Sequence, residues 1–243
     1  MYLVGMGHRQ HELRVDRLTV LVSSRVGIAS TVFLALCLLL CADAAFSQTQ
    51  DFLGLVRDGT PETVQAAIRN GANVNATDAD DWTPLMAAAA YNNRPDVINE
   101  LLKAGADVNA WDSMSMTSLN WAAMHNSNPK VIEVLLKAGA DIEGRDVGGD
   151  TPLMFAARYN PNPQVVGALL KAGADLEAGD HTDETALLLA ARYNNDDVVT
   201  VLLDAGAKAG ARDNLGMNAY DYARANARLR GTAALDRLKA VSK

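Results

Sequence analysis

Cysteine is almost absent from this sequence. There are two in 243 residues, Cys37 and Cys41, both inside one apolar stretch near the N-terminus. The chain after residue 47 therefore has neither disulfide nor thiolate chemistry. Histidine is nearly as scarce: only His125 and His181 follow residue 47, and neither has a cysteine or a carboxylate pair at ligand spacing. That excludes the usual zinc and nucleophile–base constellations. The acid runs at residues 78–81 and at Asp196-Asp197 lack the alternating ligands and glycine of a calcium loop. Positive charge is also short. Residues 1–47 hold four arginines and the rest of the chain 18 basic against 26 acidic groups, a net of −8 there and −7 overall. Such a balance argues against nucleic acid or an anionic membrane as partner, since both require a cationic surface. Aromatics make up 5% of the residues, so the core is aliphatic and alanine-rich, as close helix packing demands.

What the sequence does have is repetition. The stretch Thr83 to Gly105, TPLMAAAAYNNRPDVINELLKAG, returns at Thr117, Thr151 and Thr185, each start 34 residues after the last. Gly71, Gly105, Gly139, Gly173 and Gly206 mark the same beat, at intervals of 34, 34, 34 and 33. A fixed period of this size signals a solenoid, in which each unit is too small to bury its apolar face alone and stacks on its neighbours. Within a unit, Thr83, Thr117, Thr151 and Thr185 read as helix N-caps, with Pro84 and Pro152 at the first helical position. Leu85, Leu119, Leu153 and Leu187 point inward. The alanine pairs at 88–89, 122–123, 156–157 and 190–191 let first helices approach. Asn92, Asn126, Asn160 and Asn194 end that helix and are expected in the left-handed C′ conformation. A second helix buries Val131, Ile132, Leu135 and Leu136 and their equivalents. It closes on Gly139 or its counterpart, and a finger leads to the next unit.

Thr-Pro-Leu, an alanine pair, and Val-x-x-Leu-Leu-Lys-Ala-Gly-Ala-Asp-Val-Asn together resemble the ankyrin repeat, over about residues 51–239. The resemblance is to bacterial-type exported members of that family. It implies an all-α ankyrin-repeat solenoid of helix-turn-helix units with hairpin-like fingers. Four full repeats (about 81–114, 115–148, 149–182 and 183–215) stand between caps at 48–80 and 216–243. It also implies a non-enzymatic monomer without cofactor or metal that binds another protein through its concave face.

Ahead of the repeats, residues 26–42 form an uncharged run of 17 after the arginines at 9, 14, 17 and 25, with small residues following. This reads as a secretory signal peptide cleaved near Ser47, or alternatively after Ala44. Export to the periplasm or outside the cell follows, with no membrane contact by the mature chain. The alternative is a retained anchor, for which 17 residues is a marginal span.

Carried over position by position, the binding face includes Trp82, Tyr91, Trp111, Met114, Met116, His125, Arg145, Arg158, Tyr159, Arg192 and Tyr193. Nothing in the stacking requires Trp82, Trp111, Met114 or Met116 at finger positions, and Trp, Tyr and Arg dominate interface hot spots. Trp121, just before an alanine pair, reads as core. Arg145, Arg158, Arg192 and Arg212 are expected to make the C-terminal half of the face positive, suiting an acidic guest. A rival reading gathers His125, Tyr159 and Arg158 around a small ligand of the cell envelope, and a third keeps the chain as a membrane-anchored scaffold.

Overall fold

The computed structural model describes residues 48–241. The apolar run, its cleavage positions and both cysteines lie outside the described residues. Contacts divide the chain into two units, Met1–Asp51 and Phe52–Lys243; the architecture below is that of the second.

That unit is helical. After a leading helix that ends at residue 58 come α1 (Pro61–Arg69), α2 (Pro84–Tyr91), α3 (Pro95–Lys103), α4 (Ser118–His125), α5 (Pro129–Lys137), α6 (Pro152–Tyr159), α7 (Pro163–Lys171), α8 (Ala186–Tyr193), α9 (Asp196–Asp204), α10 (Ala219–Ala223) and α11 (Ala233–Val241). Even-numbered helices pack on one another in sequence, and odd-numbered ones do the same. Each repeat thus contributes one first helix and one second helix to two parallel rows. Among the described residues no strand forms, but the isolated bridges Trp111–Thr117 and Gly179–Thr185 close two of the fingers.

The first helices begin as the sequence predicts. The hydroxyls of Thr83, Thr117 and Thr151 accept from the backbone N–H three residues on. Thr185 is the exception and makes no side-chain cap bond. The alanine pairs are fully buried, as are Leu85, Leu119, Leu153 and Leu187. In the second row the apolar stripe centres on Ile98 and Leu101, Ile132 and Leu135, Val166 and Leu169, and Val199 and Leu202. Each such side chain removed from water contributes about 1.5–3 kcal/mol. Leu136 is only partly buried, one position round the helix from Leu135, so it lines the edge of the core rather than filling it. Gly71, Gly105, Gly139, Gly173 and Gly206 end the second helices at φ near +90°, where an L side chain would be strained.

The asparagines that end the first helices differ from expectation. Asn92, Asn126 and Asn160 have extended backbone with φ near −90°, and Asn194 is extended too. None is left-handed. All four are buried, and their amides reach back into the preceding repeat. Asn126 donates to the carbonyls of Ala89 and Asn92, Asn160 to those of Ala123 and Asn126, and Asn194 to those of Ala157 and Asn160. Asn226 continues the column onto Ala191 and Asn194. The side chain does here what a cap would do elsewhere: it satisfies the free carbonyls at a helix end. Because those carbonyls belong to the neighbouring unit, the bond also joins the repeats.

Candidate functional site

The fingers are built on a recurring aspartate. Asp78, Asp112, Asp146, Asp180 and Asp213 each accept, through Oδ1, the N–H groups two and four residues on. Such Asx bonds fold a tight turn. Its tightest position, occupied by Asp81, Ser115, Gly149, Asp183 and Gly216, has positive φ throughout. Adjacent fingertips are joined by backbone bonds: Ser113 N–H donates to Asp80, Val147 to Met114, His181 to Gly148 and Asn214 to Thr182. A row of fingers and the outward sides of the first helices therefore form one backbone-braced face.

On its N-terminal half that face carries an aromatic cluster. Trp82 lies edge-on to Tyr91 (6.0 Å between centroids) and to Trp121 (5.2 Å). His125 stacks on both Tyr91 and Trp121 at 5.6 Å. Arg57 sits 4.3 Å over Tyr91. Trp121 packs against the core as expected and, partly exposed at its margin, also belongs to this cluster, its indole N–H donating to Asp112 Oδ2 at 2.8 Å. Tyr222 repeats the device with Asp213 Oδ2. That bond pushes the Tyr222 hydroxyl up to about 12. Burial pushes the Asp213 carboxyl up, but hydrogen bonds from Tyr222 and from backbone N–H groups outweigh it and hold it below the usual value. Burial in the cluster lowers the His125 imidazole.

The C-terminal half carries ion pairs. Arg158 bonds Asp150 at 3.0 Å and lies 3.7 Å from Glu184 and 4.0 Å from Asp180. Arg192 bonds Glu184 at 2.9 Å. Arg145 donates to the carbonyls of Gly149 (2.7 Å) and Gly179 (2.8 Å), and Arg212 to that of Gly216. The expectation of a positive half is therefore wrong, because the guanidiniums are consumed by buried carboxylates and backbone oxygens. They also stack with the tyrosines: Arg158 lies 5.7 Å from Tyr159 and 5.8 Å from Tyr193, Arg192 4.9 Å from Tyr193 and 5.0 Å from Tyr222. Arg158, Tyr159, Tyr193 and Arg228 edge a shallow depression of about 470 Å³.

The predicted site residues fall into two groups. Trp111 (66% exposed), Met114 (50%), Tyr91 (41%), Tyr159 (48%) and Tyr193 (43%) stand out from the face as large apolar surface. Val147 at 61% and Leu215 at 77% join them. Sequence reasoning missed both, although each occupies a fingertip position equivalent or adjacent to that of Met114. Met116 is a correction: at 2% exposure it turns under the finger into the core, because the left-handed turn at Ser115 (φ 62°) between it and the exposed Met114 breaks the alternation of an extended chain. Trp82 is half-buried and packs against that core, so the stacking does use it. Arg158 and Tyr159 edge one depression with Tyr193 and Arg228, whereas His125 is stacked on Tyr91 and Trp121.

A family profile described as Ankyrin repeats (3 copies) matches residues 53–146 and 143–213, well over half of the chain. The chain belongs to the ankyrin-repeat family. No curated protein matches it. As an ankyrin-repeat protein it shares a fold whose general use is protein–protein interaction and whose members are typically not enzymes. Among the described residues no three His, Cys, Asp or Glu side chains form a metal-holding group, and no helix is long and apolar enough to cross a membrane.

Proposed function

We propose that this protein is a non-catalytic binding module whose finger-and-first-helix face, the concave face of the ankyrin stack, receives another protein. The observation that carries the reading is the exposed strip of Trp111, Met114 and Val147 with Tyr91, Tyr159 and Tyr193 beside it. Exposed apolar clusters of this kind mark interaction sites, and Trp and Tyr are favoured anchors. Because the fingers are already tied together through backbone bonds, little ordering entropy is lost when a guest lands on them.

The module acts as a monomer, and the segment 1–47 exports it to the periplasm or beyond. N-terminal sequencing of protein from native cells tests export, which expects Gln48 or Ala45 as the first residue. The test of binding is Trp111→Ala combined with Met114→Ala. Both side chains are more than half or about half exposed, so the double variant keeps its Tm within a few degrees and loses partner capture. Unfolding of the variant, or undiminished capture by it, refutes the strip as a binding site.

A further inference from the structure

The finger-and-first-helix face contains no lysine. Segments 77–91, 111–125, 145–159, 179–193 and 212–224 hold eleven carboxylates against five arginines, which leaves −6, and Arg57 over Tyr91 and Arg228 beside Tyr159 and Tyr193 bring the face to −4. Lys103, Lys130, Lys137 and Lys171 all lie in second helices, and Lys208 in the turn beyond α9. The charge of the repeat unit is therefore sided. Four of the five arginines are engaged internally: Arg145 and Arg212 by carbonyl oxygens, Arg158 and Arg192 by carboxylates. On the acidic side the account does not close. Asp150, Asp180 and Glu184 surround two guanidiniums, and Asp150 Oδ1 is buried with no hydrogen-bond partner. Asp80, Asp81 and Asp183 stand exposed on the fingers.

Resting on the binding reading above, we propose that the guest is a basic polypeptide segment that lies extended across the fingers with lysine or arginine at every third residue. The spacing follows from geometry. Packed helices stand about 8–10 Å apart and an extended chain rises about 3.3 Å per residue, so roughly three residues carry a guest from one repeat to the next. The aliphatic stems of its basic side chains would lie on the exposed apolar fingertip strip of Trp111, Met114 and Val147, clear of the tyrosine rings that Arg57, Arg158 and Arg192 already occupy, while the charged heads reach finger carboxylates. Acidic peptides, nucleic acid and anionic lipid are excluded by the same sign of charge.

Fluorescence anisotropy with the full chain tests this, using three synthetic peptides of equal length. One has lysine at every third position, one has the same lysines clustered at one end, and one has glutamate in place of lysine. The first binds, the clustered one binds more weakly, and the glutamate peptide does not bind. Affinity for the first falls on raising salt, because the contacts are exposed charges. The triple variant Asp80→Asn, Asp81→Asn, Asp183→Asn weakens it by about tenfold or more. Its fold is safe, since asparagine tolerates the positive φ of positions 81 and 183 as aspartate does. Equal binding of the glutamate peptide, no binding of the lysine peptide, or indifference of the triple variant overturns the proposal. Equal binding of the clustered peptide overturns its register. A cellular partner that is lost by the Trp111→Ala, Met114→Ala variant but retained by the triple variant would sink the basic guest and leave the binding reading standing.

Discussion

Asn126 donates its side-chain amide to the carbonyl oxygen of Ala89, 37 residues earlier, at 2.8 Å. The same amide reaches Asn92 O at 3.1 Å, and its Oδ1 accepts the N–H of Asn128 at 2.9 Å. Both carbonyls are in the preceding repeat, and Asn126 is 1% exposed. Replacing it with glycine would suit a left-handed cap, but the residue is extended at φ −87°. Asn126→Gly therefore leaves buried carbonyls unpaired and adds chain freedom, at a cost of about 2–4 kcal/mol. Urea denaturation measures it. A neutral or stabilising result would mean that the amide column contributes nothing.

The finger turn gives a prediction of opposite sign. Ser115 has φ +62° where the next repeat has Gly149 at +84°. A serine held there is strained by about 1–2 kcal/mol, and the freedom that glycine adds to the unfolded chain offsets about 0.4–1 kcal/mol of that relief, so Ser115→Gly is expected to raise stability by at most about 1 kcal/mol. Gly149→Ala should do the reverse and more, because an added Cβ would lie 2.8 Å from the His181 ring. Thermal melts of the two variants, shifted in opposite directions, check the pair.

How far the sequence could be read depended on whether a side chain's partner lay in its own repeat. The period, helix caps, proline positions, alanine pairs and terminal glycines are local, and all but the Thr185 cap stand where the sequence puts them. Asn126 was misread because its partners are 34 and 37 residues away, and a single repeat shows only a helix end that lacks glycine. The arginines differ: Arg158 and Arg192 pair first with Asp150 and Glu184 of their own repeats, across a finger whose fold brings residues eight apart together, and only the contact of Arg158 with Glu184 at 3.7 Å crosses to the next repeat. Asp150–Arg158 and Glu184–Arg192, both eight residues apart, were the available signal. Met116 turns on finger geometry, which sequence alone does not orient.

The leucine pair at the end of α5 separates core from edge. Leu135 is fully buried and Leu136 only partly so. Leu135→Ala removes packing between both neighbouring second helices and is expected to cost about 2–5 kcal/mol. Leu136→Ala falls below that range, since part of its side chain is already in water. Equal costs in chemical denaturation would contradict the assignment of Leu136 to the margin.

His125 occupies the position that is tyrosine in three other repeats, stacked on Tyr91 and Trp121, and burial there lowers its pKa below the ordinary value of 6.5. Folding thus favours the neutral imidazole. The unfolded chain binds the proton first, so stability is complete above about pH 6.5 and is lost as pH falls through that value towards the lower folded one. Asp213, held below the usual carboxylate value, loses its contribution only at more acid pH, so the two windows are separate. His125→Tyr preserves the ring stack and removes the titration. The wild type is expected to lose Tm between pH 7.5 and 5.5, and the variant to lose measurably less. Identical losses would place the titrating group elsewhere, and a larger loss in the variant would show that the imidazolium is stabilised in the cluster.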